Sequence, residues 1–201
     1  MSTSIFDLTA QNQQTDLKII AALERITQAF KALLQEESNR YKLSPIQLQT
    51  LLFINFHSSE KCTVSYLAEE FNVTKATISD AIKSLYAKAL VIKTPNKTDA
   101  RSYRLALTEK GIHIADKAKG FTEQMHHPIT AMEEAEKSVM LHNLLEIIRH
   151  MFDCGVISKQ RMCFSCRFYK PKNGESYCEL LKQNLSITDL RLDCPEYEQA
   201  S

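Results

Sequence analysis

Apolar residues recur at helical spacing through most of the chain and adopt strand-like composition in one short stretch. The pattern therefore predicts a mainly α protein with one small hairpin. From Asp16, the residues Ile19, Leu23, Ile26, Phe30 and Leu33 mark one side of a long amphipathic helix. Ser44-Pro45-Ile46-Gln47 supplies a cap, a proline in the first turn and a capping-box glutamine, and predicts a helix to about Phe56. Val64, Leu67, Ala68 and Phe71 outline a short helix that Asn72-Val73 interrupts. Thr74 caps the next one, whose buried stripe is Ile78, Ala81, Ile82 and Leu85. Val91–Thr94 and Tyr103–Leu107 flank the polar run P-N-K-T-D-A-R-S as two strands of a hairpin. Thr108 opens a helix through Ile112, Ile114 and Ala115 that His126-His127-Pro128 is expected to end. Thr130-Ala131-Met132-Glu133 reads as a second capping box. Its helix has the stripe Val139, Met140, Leu144, Ile147, Ile148 and Met151, and Gly155 closes it. Residues 1–15 are polar and expected to be a flexible N-terminus.

Charge sharpens one part of this picture. The stripe of the helix after Thr74 leaves Lys75, Ala76, Ser79 and Lys83 on the opposite face, small, hydroxyl-bearing and basic. Such a helix suits a DNA major groove. From Asn72 to Arg104 there are seven basic residues (Lys75, Lys83, Lys88, Lys93, Lys97, Arg101, Arg104) against two acids (Asp80, Asp99). The segment carries a net of +5 while the whole chain carries +1. Positive charge gathered on a reading helix and its hairpin is a footprint for phosphate contacts.

Taken together, Thr63-Val64-x-x-Leu67-Ala68, Val73-Thr74-x-x-Thr77-Ile78-Ser79, Leu90-Val91, Asp99-x-Arg101-Ser102 and Leu105-x-Leu107-Thr108-Glu109-Lys110-Gly111 resemble the MarR-type winged helix-turn-helix regulators. The resemblance covers roughly residues 15–153. It implies a homodimer on a pseudo-palindromic double-stranded operator, with Thr74, Lys75, Ala76, Thr77, Ser79 and Lys83 in the major groove. Lys97 and Arg101 would lie on the wing, Arg101 reaching the minor groove and Asp99 bracing it. It also assigns the apolar surface of the first helix and of the two helices after the hairpin to a dimer interface; an intramolecular bundle is the other reading. Ala89 departs from the family, which usually has glycine there.

Two hundred and one residues with 44% hydrophobic side chains suit one ordinary domain and a small appendage. We therefore read residues 16–153 as the winged-helix domain with its dimerisation helices and 154–201 as a separate cysteine module. No basic start followed by an apolar core precedes the chain's first helix, so the sequence reads as cytoplasmic. No phosphate loop, nucleophile elbow or H-E-x-x-H occurs, and the sequence is not that of an enzyme.

A cytoplasmic setting makes stable disulfides an unusual use for six cysteines. Cys163-x2-Cys166-x11-Cys178-x15-Cys194 forms a compact set of soft ligands in a stretch poor in aliphatic residues, where a bound centre would supply folding energy. Cys194 is followed by Pro195, as in many iron–sulfur sites. The spacing, with Phe164, Phe168, Tyr169 and Tyr177 around it, resembles small high-potential-type [4Fe–4S] modules. A [4Fe–4S] cluster is expected, with structural Zn²⁺ the alternative. Cys154 falls outside the set, and Cys62 reads as a small buried hydrophobe or an oxidation sensor. His150 and Cys154, four apart near a helix end, lack a third ligand.

The sequence thus predicts a homodimeric, sequence-specific DNA-binding transcriptional regulator, with the sign of regulation open, whose binding responds through the cluster to redox state, oxygen, nitric oxide or iron. Two other readings compete. One is a zinc-stabilised regulator with a small-molecule effector; the other is an electron-transfer or protein-interaction module without DNA binding.

Overall fold

Side-chain caps set the frame of the structure, a computed structural model that describes residues 4–95, 103–157, 161–172 and 175–200. Leu8–Gln13 form a short helix (α1) capped by Asp7, inside the stretch read from sequence as a flexible start. Thr15–Arg40 follow as the long α2. The Ser44 capping box forms as expected. Ser44 Oγ accepts from the Gln47 N–H at 3.4 Å, Gln47 Oε1 accepts from the Ser44 N–H at 3.2 Å, and α3 spans Pro45–Phe56. Next come α4 (Val64–Glu70) and α5 (Lys75–Ala87).

By contact the chain divides into two compact units, Met1–Thr63 with Asp80–Met125, and Val64–Ser79 with His126–Ser201. The first holds the hairpin. Strands β1 (Val91–Pro95) and β2 (Tyr103–Leu107) pair antiparallel, with Val91 opposite Leu107 and Pro95 opposite Tyr103. The Leu105 N–H also donates to the Cys62 carbonyl at 2.8 Å, tying the chain before α4 to the wing. Leu48, Leu51, Ile82, Leu85, Leu90 and Leu105 are at most 2% exposed and form the apolar centre of this unit.

Two backbone positions shape the exit from α5. Ala89 sits at φ +54°, the left-handed conformation that glycine adopts without penalty, and closes the helix as the Leu90 N–H returns to the Leu85 carbonyl at 3.0 Å. The alanine departure from the family pattern is therefore accommodated in the turn that a glycine would make, at a cost of about 1 kcal/mol. At Gly111 a Cβ would lie 2.1 Å from the Leu90 carbonyl oxygen, so only glycine fits. Thr108 joins the same corner: its hydroxyl donates to the Ala89 carbonyl at 2.8 Å and accepts from the Gly111 N–H at 3.1 Å.

The helices after the hairpin differ from expectation. Thr108 does cap a helix, but α6 (Glu109–Ala118) stops at a turn around Gly120, where the Phe121 N–H returns to Ala118 and the Glu123 N–H to Gly120. His126-His127-Pro128 does not end a helix; it lies inside α7 (Glu123–Thr130). The Thr130 hydroxyl donates to the His126 carbonyl at 2.9 Å and closes α7 instead of capping the next helix. The working capping box is Glu133 with Glu136, which opens α8 (Glu134–Asp153).

The second unit contains α4, the first turn of α5, α8 and the cysteine segment. There β3 (Tyr169–Lys172), β4 (Glu175–Cys178) and β5 (Gln183–Leu185) form an antiparallel meander in which Cys178 lies opposite both Tyr169 and Gln183. Its apolar centre is small. Met162 and Leu190 close on Leu145 of α8, with Leu141, Ile148, Phe164, Tyr169, Leu185 and Ile187 around them. The segment thus obtains from α8 the aliphatic surface that its own sequence lacks. Among the described residues no helix is long and apolar enough to cross a membrane.

Candidate functional site

The first turn of α5 begins at Thr74, whose hydroxyl accepts from the Thr77 N–H at 3.1 Å, so the sequence-predicted cap is present. Ile78, Ala81, Ile82 and Leu85 are buried as the helical stripe requires. Thr74, Lys75, Ala76, Thr77 and Lys83 are exposed and Ser79 is half-buried. Lys83 reaches Asp80 at 3.0 Å, but both side chains are about three-quarters exposed. Such a pair is worth little and leaves Lys83 able to turn to a phosphate. On the wing, the Lys93 ammonium lies over the rings of Tyr103 and Tyr86, 4.4 and 5.8 Å from their centroids. Lys97, Asp99 and Arg101 lie outside the described residues.

Not every base counted in the segment faces outward for DNA. Arg104 holds Glu60 at 2.9 Å and the Ser59 hydroxyl at 3.3 Å, and the Lys88 ammonium donates to the Lys42 carbonyl at 2.5 Å. These two serve the scaffold, a distinction that charge counting alone cannot draw.

The four cysteines of the compact set, more than thirty residues apart at the extremes, line one cavity: Cys163, Cys166, Cys178 and Cys194. Phe168, Tyr169, Leu180, Leu181 and Leu185 supply its apolar wall. No three Cys, His, Asp or Glu side chains among the described residues are gathered as ligands of a single metal ion. The thiols ring a space. Arg191 serves two of them: its backbone N–H donates to Cys163 Sγ at 3.3 Å and its guanidinium to Cys194 Sγ at 3.6 Å, while also holding Glu196 at 2.9 Å. Burial pushes the Cys163 and Cys194 thiols above the ordinary range, against the pull of the N–H groups that point at each sulfur. Donors aimed at sulfur are the outer-shell contacts that tune a thiolate-held centre.

The two remaining cysteines behave differently. Cys62 is 1% exposed and burial raises its thiol to about 11, so it stays protonated and unreactive near neutrality. This favours the buried-hydrophobe reading over an oxidation sensor. Cys154 is exposed, with its sulfur 3.5 Å from His150 Nε2 at the end of α8.

One cluster has no counterpart in the sequence pattern. The Arg161 guanidinium, with its side chain only 5% exposed, holds Asp193 at 2.7 Å and Glu70 at 3.2 Å, and it also donates to the Tyr66 hydroxyl. A lone arginine between Gln160 and Met162 carries no periodic signal that would reveal this.

A short helix, a tight turn, an exposed second helix and an antiparallel hairpin together define a winged helix-turn-helix. Residues 41–102 match the model of the MarR family. The regulator SarZ of Staphylococcus haemolyticus, described as an HTH-type transcriptional regulator, is 24% identical over 103 residues, covering 51% of this chain and 69% of that protein. Streptococcus pneumoniae FabT, solved in complex with DNA, is 27% identical with a TM-score of 0.55 over 68% of this chain and 99% of that one. Staphylococcus aureus MepR in its DNA-binding conformation shares the fold with a TM-score of 0.59 at 19% identity, over 66% of this chain and 98% of that one. These likenesses make the winged-helix part of the chain similar to MarR-family transcriptional regulators. Proteins of that family are DNA-binding regulators and not enzymes.

Proposed function

We propose that the chain is a cytoplasmic, homodimeric, sequence-specific transcriptional regulator that carries a [4Fe–4S] cluster on Cys163, Cys166, Cys178 and Cys194 and alters its operator binding with the state of that cluster. The observation that carries the cluster reading is the shared cavity. Four cysteines picked from spacing alone line it together, with an apolar wall and with Arg191 donors on two sulfurs. Four thiols around one apolar-walled cavity suit a centre of several atoms.

When bound, the cluster would supply sensitivity to oxidants, oxygen or nitric oxide and to iron supply. The chain's own residues do the rest. Thr74, Lys75, Ala76, Thr77, Ser79 and Lys83 present α5 to the major groove, and the family resemblance assigns further contacts to Lys97, Asp99 and Arg101. Ile19, Ile20 and Ile26 of α2 and Val139 and Ile147 of α8, all exposed in the single chain, supply apolar surface for a twin subunit. A dimer reads two half-sites about one helical turn apart, so a displacement of the cysteine segment that changed the spacing of the two reading helices would weaken binding.

Anaerobic purification with an absorption spectrum and metal analysis tests the cofactor. A brown protein with about four iron per chain is expected. A colourless one with stoichiometric zinc would replace the cluster by a structural Zn²⁺ and move the search for an effector to a small molecule.

A further inference from the structure

A guanidinium stripped of water is costly unless its donors meet acceptors, so the position of buried Arg161 is dictated by the groups that surround it. Those groups come from two places. Asp193 precedes Cys194, and Arg161 itself stands two residues before Cys163. The two cysteine-bearing segments are laced together by backbone: the Cys194 N–H donates to the Arg161 carbonyl at 3.1 Å and the Cys163 N–H to the Arg191 carbonyl at 3.2 Å. The other acceptors, Tyr66 and Glu70, are four residues apart on one face of α4. The Tyr66 ring also lies under the guanidinium, 5.0 Å from its centroid.

We propose that Arg161 is a positioning residue that passes the state of the cysteine centre to α4, the first helix of the helix-turn-helix, and through it to α5. The inference rests on the four cysteines holding a centre. Cys163 and Cys194 joined through a common centre keep Arg161 and Asp193 in register, and the guanidinium then holds Tyr66 and Glu70. Released thiols let the two segments separate. Arg161, losing Asp193, must follow or abandon its α4 partners.

The link onward is short. The Phe71 N–H bonds Leu67 at 3.0 Å, Asn72 takes φ +51°, the Val73 N–H bonds Ala68 at 2.9 Å, and Thr74 caps α5. A four-residue turn tied at both ends transmits a tilt of α4 to the turn that carries Lys75 and Ala76. This route lies within one subunit and does not depend on the spacing between twins.

The test compares the wild-type chain with Tyr66→Phe, Glu70→Gln and the double variant, each reconstituted anaerobically with ferrous iron and sulfide or stripped with a chelator. The probe is a duplex selected by the wild type from a random-sequence pool. We expect the wild-type Kd to differ about tenfold or more between the two forms. In the double variant the ratio should fall below about twofold at unchanged iron and sulfide content. Amide hydrogen exchange in residues 67–70 should likewise rise on stripping in the wild type and not in the double variant. A wild-type ratio and exchange response retained by the double variant overturn the role of Arg161 and leave the sensor reading standing. A wild-type chain that takes up no iron, or whose two forms bind DNA equally, overturns both.

Discussion

The winged-helix unit and the cysteine segment reach order by different physical means. The first encloses a run of aliphatic side chains, Leu48, Leu51, Ile82, Leu85, Leu90 and Leu105, all essentially without solvent contact. The second has Met162 and Leu190 closing on one leucine of α8, and otherwise four thiols around a cavity, the buried guanidinium of Arg161 and a three-stranded meander. Area burial is non-directional and tolerant, so the aliphatic core of the first unit can keep its order whatever is bound elsewhere. A segment closed by the proposed centre would be conditional on it, as the proposed sensing requires.

The sharpest way to break this contrast is to remove the ligands. If the proposed centre is bound, Cys163→Ser with Cys194→Ser would delete coordination worth on the order of 10 kcal/mol in a fully ligated site. Exchange protection in β3, β4 and β5 should collapse while α2, α3 and α6 keep theirs. Equal loss in both regions would show that they fold as one. Next in size, Leu85→Ala empties a fully buried site and should lower unfolding free energy by about 3 kcal/mol in urea titrations that follow the helical signal. Iron content should be unaffected.

Two smaller effects sharpen the account of the winged helix. Ala89→Gly relieves a left-handed alanine and should raise stability by about 1 kcal/mol, seen as a higher urea midpoint; a loss would mean the turn is held for another reason. Cys62 supplies a pH signature. Its folded thiol, raised to about 11 by burial, keeps its proton while the unfolded thiol loses it from near 9. Stability from this group is therefore complete below pH 9 and falls as pH rises towards 11. Urea midpoints at pH 8.5 and 10.5 should drop more for the wild type than for Cys62→Ala.

What the sequence revealed follows the same division. Caps and stripes are local, so Ser44 with Gln47, Thr74, the α5 stripe and the hairpin were all legible from spacing. The break at Gly120 and the helical Pro128 were not, because a turn of two backbone bonds competes with a proline signal that reads more strongly on paper. Gly111 appeared only as part of a motif; the reason for it, the Leu90 carbonyl against its Cα, is tertiary. In the cysteine segment the spacing pointed to the four thiols that share the cavity, but not to the strands between them or to Arg161, whose partner Tyr66 lies 95 residues away in sequence. Ligand residues can be counted; the groups that couple them to the rest of the protein must be seen in place.

Everything functional depends on DNA seating against the outer face of α5. The direct measurement is duplex affinity against salt concentration for the wild type, Lys75→Ala and Lys83→Ala. A steep negative slope is expected, made shallower by about one in each variant as one phosphate contact is lost. Affinity indifferent to salt, or a slope that neither substitution changes, would contradict the account.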